Sequence, residues 1–369
     1  MSLLLEGLSD VQAIFSDMDG TLVHYEKAME KQGYVMLNID GTPCASYNPT
    51  EHNTLAITRC GVEMQRVVFL HTPTETKVPS VKVPSLTLGG GYVSLASLEL
   101  VEELRCRFGV SIILMTGART STMLMRRKSG TIPIVDYDVC EGGGKVFEVF
   151  GRPTLEEPTL CPSWTAQFVS TTGAPEQLDS DPLTRQGPLW DVFRILHADG
   201  YHLDAKSFST SFLVDLGKSK VVLSGSKSID EAERDVKQQF TESITQKYNV
   251  TYISNLGKGQ VCPVGCNKRT AMEHLAKTLG ISATYNQQGE LERLPTSVAM
   301  FDDENDLEFA RKCAAGFIPS IAHASVLDTI AAAAKDGEAL CWHRTPIEGP
   351  LGTEAALREI IKLKESREQ

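Results

Sequence analysis

The chain has 369 residues, enough for two domains with sizeable cores. Hydrophobic residues make up 41% and charged residues 22%, the balance of an ordinary globular protein, and no apolar run is long enough to span a membrane. A formal net charge of -11 argues against broad nucleic-acid binding, which needs a basic face, but leaves room for a locally basic pocket.

The first predicted element is a strand at residues 11–16, where Val11 and Ala13 to Phe15 are apolar with little interruption, as in a parallel strand covered on both faces. It runs into Asp17 and Asp19, and Gly20 permits a tight turn. Residues i and i+2 of an extended segment point the same way, so the two carboxylates can serve one site just past a strand's carboxyl end. Two close acids do not stay ionised together without a cation or a shared proton.

Residues 24–93 carry scattered Gly and Pro, a turn at Asp40-Gly41, a strand at residues 66–71 and a loop running to Gly89-Gly90-Gly91; they read as a β-rich insertion near the mouth of the site. Ser94 predicts the cap of a helix whose Leu95, Leu98, Val101 and Leu104 recur at helical spacing. A strand at 110–115 follows, then a helix opened by Thr120 or Ser121 and ended by Pro133. On it, Arg126, Arg127 and Lys128 read as a solvated basic face, with substrate contact as the alternative. A hairpin turns at Glu141 to Gly144 into a strand at 145–149, and residues 151–187, rich in Pro, Thr and Ser, read as a linker or surface excursion.

The pattern then changes. A helix at 190–196 is closed by Gly200, a hairpin pairs 208–216 with 220–223, an amphipathic helix spans 229–248, and strands follow at 250–254 and 260–264. This is an α+β unit with antiparallel pairing. Helices at 267–279, 307–314, 323–335 and 353–364, with strands at 297–301 and 316–319, return to the rhythm of a parallel sheet. Nine cysteines without regular spacing predict a reducing compartment, hence a cytoplasmic protein, and Met1 to Asp10 lack the basic start and long apolar core of a signal peptide. Cys262 and Cys266 have no second Cys/His pair to complete a zinc site.

Four segments carry a joint signal. Asp17-Met18-Asp19-Gly20-Thr21 resembles the first motif of the haloacid dehalogenase (HAD) superfamily phosphatases. Ile112 to Thr116-Gly117 resembles the second, Lys268 at the start of a helix the third, and Phe301-Asp302-Asp303-Glu304-Asn305-Asp306 the fourth. Their order is the family's order, and they cover nearly the whole chain. The resemblance implies an α/β fold: a Rossmann-like parallel-sheet core at residues 1–150 and 260–369, with an α+β cap at 151–259 inserted between the second and third motifs.

It also implies roles. A carboxylate nucleophile and a phosphomonoester dianion repel by ~4 kcal/mol per charge pair at about 4 Å and an effective dielectric near 20, which a divalent cation and positive side chains can reverse. By resemblance, Asp17 attacks phosphorus and Asp19 is the general acid and base. Mg²⁺ is held by Asp17, the Asp19 backbone carbonyl and Asp302, with Asp306 in support. Thr116, Gly117 and Lys268 bind phosphoryl oxygens, and Asn305 orients its neighbours there. The sequence departs from the pattern at three places. Phe301 stands where Gly is common, which aligns Asp302 as the ligand and leaves Asp303 as a competitor. Ala118 intervenes before Arg119, which either contacts substrate or points elsewhere; Gly142 replaces an Asn. In the cap, Lys206, Lys218 and Lys220 are of undetermined orientation. The implied activity is Mg²⁺-dependent hydrolysis of a small phosphorylated metabolite such as a sugar phosphate, without nucleic-acid or membrane partners. The alternatives are a sugar phosphomutase or a catalytically weak metabolite-binding protein on the same scaffold. The oligomeric state is open.

Overall fold

The structure, a computed structural model, describes residues 8, 10–44, 47, 49–59, 61–85, 90–150, 159–174, 180–255, 258–321, 324–335 and 341–368. The expected features of residues 1–7, part of the glycine loop (86–89), residues 151–158 and 175–179 of the linker, and the helix start at His323 lie outside them.

Ala13–Asp17 is the central strand of the largest sheet, parallel to Ser111–Met115 on one side and to Leu291–Met300 on the other. Its unbroken apolar run follows from burial on both faces. Ile14, Ile112 and Leu114 point to a layer holding the helices Leu95–Cys106 and Pro350–Glu368. Phe15, Ile113 and Met115 point to the opposite layer, against Ala271, Met272 and Leu275 of the helix Lys268–Thr278. Among the described residues nine strands form this sheet. Six are parallel, in the order Tyr137–Cys140, Ser111–Met115, Ala13–Asp17, Leu291–Met300, Cys313–Ile318, Trp342–Arg344. Lys145–Glu148, Thr159–Leu160 and Thr284–Tyr285 add antiparallel edges. The chain goes to one side of the first strand and later to the other, so the order reverses beside Asp17, where such sheets open a crevice.

Among the described residues, those from His24 to Ser94 contribute a second, six-stranded antiparallel sheet in the order His24–Tyr25, Gly91–Ser94, Thr76–Val83, Val62–His71, Tyr34–Leu37, with Leu55–Arg59 beside Val62–His71. One face builds its own core from Tyr34, Val67, Phe69, Val78 and Tyr92, while Met64, Val81, Val83 and Val93 join the main core. The insertion is therefore packed onto the central sheet, not a loose flap. A third sheet is antiparallel, in the order His202–Asp204, Phe212–Asp215, Lys258–Pro263, Val250–Asn255. It is covered by the helices Pro188–Ala198 and Ile229–Gln239, with helical backbone continuing to Tyr248.

Four local expectations need correction, the first being the helix at 307–314, which ends at Ala310, so that Cys313 and Ala314 already belong to the strand Cys313–Ile318. Lys220–Leu223 is a short helix rather than a strand, because Ser219 is extended and the chain turns after it; the hairpin partner of Phe212–Asp215 is His202–Asp204. Residues 159–172 are more than a surface excursion: Thr159–Leu160 joins the central sheet, and Trp164 and Phe168 are buried against the helix Lys268–Thr278 side of the core. Composition hid this, since the flanking Pro and Ser outnumber the two aromatic anchors. Nor is the Arg126-Arg127 stretch a solvated face. Both guanidiniums are buried, Arg127 in a bidentate pair with fully buried Asp138 at 2.9 and 2.6 Å.

Candidate active site

Register brings the motifs together. Asp17 pairs with Met115, so Thr116 lies one residue beyond the neighbouring strand, and Ser16 pairs with Met300, so Asp302 lies just beyond the other. All three lie at carboxyl ends of adjacent parallel strands. The turn after Asp17 folds back through Leu22 and Val23 amides donating to the Met18 carbonyl at 3.0 and 2.8 Å. Gly20 sits in this turn at φ +97°, and a Cβ there would fall 1.9 Å from Asp302 Oδ2. The glycine is what lets the two strand ends share one site.

Lys268 reaches this point from the first turn of its helix. Asn267 caps that helix by accepting from the Thr270 amide at 2.9 Å. A lysine here opposes the helix dipole and gains its partners instead from two acids. Its Nζ donates to Asp17 Oδ1 at 2.5 Å and to Asp306 Oδ1 at 2.6 Å. Thr21 Oγ1 donates to Asp302 Oδ1 at 2.8 Å.

Asp17, Asp302 and Asp306 are buried, and each offers an oxygen within 4.8 Å of the others. Among the described residues, Oδ2 of Asp306 has no hydrogen-bond partner. Burial, followed by Asp306, raises the Asp17 carboxyl well above the usual carboxylate range despite Lys268. Burial and Asp306 raise Asp302 likewise, and burial raises Asp306 against the pull of Lys268. Burial opposes the Lys268 ammonium, but Asp17 and Asp306 outweigh it and hold its pKa above that of an ordinary lysine. One ammonium among three buried acids leaves negative charge uncompensated, the situation a divalent cation relieves.

The Asp19 carboxylate lies outside that cluster. Thr116 Oγ1 donates to its Oδ2 at 2.9 Å, while Arg126 Nη1 donates to its Oδ1 at 2.8 Å and the Tyr25 hydroxyl donates to the same oxygen. Its side chain is 24% exposed against 2% for Arg126, so Asp19 faces the crevice and Arg126 does not. Gly117 is exposed next to Thr116, with open space where a side chain would be.

Other expected residues stand apart. Asp303 spends its carboxylate on the Glu304 amide at 2.6 Å, which leaves Asp302 as the acid in the cluster. Asn305 is exposed, and its amide lies 3.4 Å from Asp303 Oδ2. Arg119 is turned to the third sheet: it donates to Asp204 Oδ2 at 2.5 Å and to the Lys206 carbonyl at 2.6 Å, over the ring of Phe208. Lys218 pairs with Asp215 at 3.0 Å and is mostly exposed.

Sequence reasoning gave no role to Tyr25 or Glu141 and read Arg126 as part of a solvated face or a substrate contact. Glu141 is fully buried at φ +54°, accepting from Thr120 Oγ1 at 2.5 Å and from the Ser209 and Thr210 amides at 3.0 and 2.8 Å. It joins the central sheet to the third one. Its place beside three glycines was the available signal: Gly143 and Gly144 lie where a Cβ would meet Asn267 backbone at 2.2 Å and Thr210 Oγ1 at 1.9 Å.

No protein-family model matches the sequence, and no curated protein matches it. Among solved structures, the sucrose-phosphatase of Synechocystis sp. PCC6803 in complex with sucrose and phosphate aligns with a TM-score of 0.48 and 14% identity, over 72% of this chain and 91% of that one. A trehalose-6-phosphate phosphatase of Aspergillus fumigatus aligns at 0.47 and 11%, over 98% and 97%. A haloacid dehalogenase-like hydrolase of Bacillus subtilis aligns at 0.46 and 12%, over 98% and 99%. At such identities and TM-scores, similarity of shape says nothing of activity, and the side chains of the site must carry the functional reading.

Proposed function

We propose that the chain is a HAD-type phosphatase that hydrolyses a small phosphomonoester, with a sugar phosphate as the first substrate class, and that the central sheet, Thr159–Leu160 included, forms its catalytic core and the third sheet, through Lys258–Pro263, its cap. The observation that carries this reading is the buried Asp17–Asp302–Asp306 cluster, bridged by Lys268 and facing Asp19 at the ends of adjacent parallel strands.

The donor set fits Mg²⁺: hard carboxylate oxygens, one of them the unpartnered Asp306 Oδ2. Asp17, Asp302 and Asp306, with the Asp19 carbonyl, would hold the ion, which when bound would offset the charge of the phosphate dianion. The chain's residues supply the rest. Lys268 holds Asp17 and, with Thr116 and the backbone at Gly117, receives phosphoryl oxygens. Asp17 forms a bond to phosphorus as the ester oxygen departs, giving an aspartyl-phosphate. Asp19 gives its proton to the departing oxygen, then takes one from the water that releases phosphate. The third sheet, tied down by Arg119–Asp204, covers the crevice and excludes bulk water.

The test is phosphate release from a panel of phosphorylated metabolites with Mg²⁺, with chelator, and with Asp17→Asn. Release that needs the metal and falls by at least ~10³-fold in the variant is the expected result. Full activity in Asp17→Asn would sink the nucleophile assignment. Interconversion of sugar phosphates without release would shift the reading to a mutase.

A further inference from the structure

The insertion at residues 24–93 meets the active site at Asp19, through the Tyr25 hydroxyl and through a buried guanidinium that Tyr25 and Pro84 hold. Arg126 lies on the helix Thr120–Lys128, behind Asp19, and is fully buried. Its Nη1 donates to Asp19 Oδ1 at 2.8 Å, its Nη2 to the Tyr25 hydroxyl at 2.8 Å, and its Nε to the Pro84 carbonyl at 3.2 Å. Tyr25 and Pro84 belong to the two ends of the insertion, and the strand His24–Tyr25 pairs there with Gly91–Ser94. Gly91 makes the close approach possible, since a Cβ on it would sit 2.4 Å from Val23 and 3.4 Å from the Tyr25 ring. Only a planar fork with donors in fixed directions can span these three acceptors at once.

Asp19 is thus held unequally. Oδ1 is fixed from behind by Arg126 and Tyr25, whereas among the described residues Oδ2 is held by Thr116 alone. A phosphoryl group engaging Thr116 frees Oδ2 while Oδ1 stays anchored. We propose that Arg126, seated in a socket built by Tyr25 and Pro84 of the insertion, is a positioning residue that presents Oδ2 of Asp19 to the leaving oxygen; this rests on the phosphatase reading above. In the first step the Asp17–phosphorus bond forms, the phosphorus–oxygen ester bond breaks with its electron pair on the leaving oxygen, and that oxygen takes the proton from Asp19 Oδ2. Arg126 keeps its own protons throughout. The insertion's role is then to orient the acid, not to contact substrate.

A positioning role has a signature that a structural one lacks. Proton donation matters for a basic alkoxide leaving group and little for a weakly basic phenolate. kcat/KM reports only steps through transfer to Asp17, so it isolates this stage. The experiment compares kcat/KM for the sugar phosphate the panel ranks first with that for 2,4-dinitrophenyl phosphate, in wild type, Arg126→Ala, Tyr25→Phe and Asp17→Asn, with thermal melts of each. Arg126→Ala is expected to lose ~10²-fold on the sugar phosphate and less than ~5-fold on the aryl ester. Tyr25→Phe, which removes one hydroxyl and keeps the ring, is expected to show the same asymmetry at ~3–10-fold. Should Arg126→Ala fail to fold, Tyr25→Phe decides. Equal losses on both substrates, or no loss on either while Asp17→Asn is inactive, overturn the proposal and leave the phosphatase reading intact. Activity surviving in Asp17→Asn overturns that reading, and the proposal with it.

Discussion

Gly20 shows how little room the acids leave for variation. Its φ of +97° is costly for any L side chain, and a methyl there would overlap Asp302 Oδ2 at 1.9 Å. The carboxylate would have to move off its hydrogen bond from Thr21. Gly20→Ala is therefore expected to weaken metal binding by at least ~10-fold, read by calorimetric titration with Mg²⁺, and to cost ~1–3 kcal/mol of stability. Unchanged affinity would show that Asp302 is not a ligand. Asp17, Asp19, Thr116, Lys268 and Asp302 were singled out in the sequence by resemblance to four ordered motifs, with paired acids at a strand end and a lysine at a helix start as the local signals. Arg126 was not. A basic run near the end of a helix is what a solvated face and the dipole both favour, and nothing along the chain marks a guanidinium that folds inward to meet Asp19.

At the scale of elements, the helix Thr120–Lys128 is pinned from beneath. Arg127 pairs with fully buried Asp138 of the strand Tyr137–Cys140 at 2.9 and 2.6 Å and donates to the Pro133 carbonyl at 2.5 Å. Burial raises the Asp138 carboxyl above its ordinary pKa even with Arg127 beside it, so the pair is costly to break. Arg127→Met should destabilise by about 3–5 kcal/mol in urea unfolding, because Asp138 is left buried and unpaired. Adding Asp138→Leu should recover most of that loss, since an apolar pair of similar volume is often neutral there. A double variant as unstable as the single one would mean the ion pair contributes through something besides charge. The central strands and the helices beside them followed from periodicity, whereas the short strands Thr159–Leu160, Thr284–Tyr285 and Trp342–Arg344 did not. The segment around Lys220 did not, since a run of four residues fits a strand or a turn of helix equally well.

At the scale of the whole molecule, His24 joins three distant parts. It begins the insertion sheet, its Nε2 lies 2.9 Å from Thr353 Oγ1 of the C-terminal helix, and that hydroxyl donates to the Thr21 carbonyl beside the acid turn at 2.5 Å. Burial pushes its pKa down to about 3 from 6.5. Below pH 6.5 the unfolded chain binds a proton that the folded one refuses, so this residue's stability is present above that pH and is lost as pH falls toward 3. The loss approaches ~1.4 kcal/mol per pH unit within the window. The buried carboxylates with raised pKa values act with the opposite sign, so the informative quantity is the difference between wild type and His24→Gln. That difference in unfolding free energy should change by about 2 kcal/mol between pH 6.5 and pH 5. A constant difference would show that His24 titrates freely in the folded protein.

The sequence by itself determined the central strand, the acids at its end, the lysine helix and the α+β character of the second half. These follow from local apolar periodicity, caps and turns, which act within a few residues. Only the tertiary structure decided that Asp302 and not Asp303 joins Asp17, that Arg119 turns to Asp204, and that Tyr25 and Arg126 meet on Asp19. Those outcomes depend on strand register and on contacts between segments far apart in the chain, and a charged side chain commits to a partner only when the fold removes the water that would otherwise solvate it.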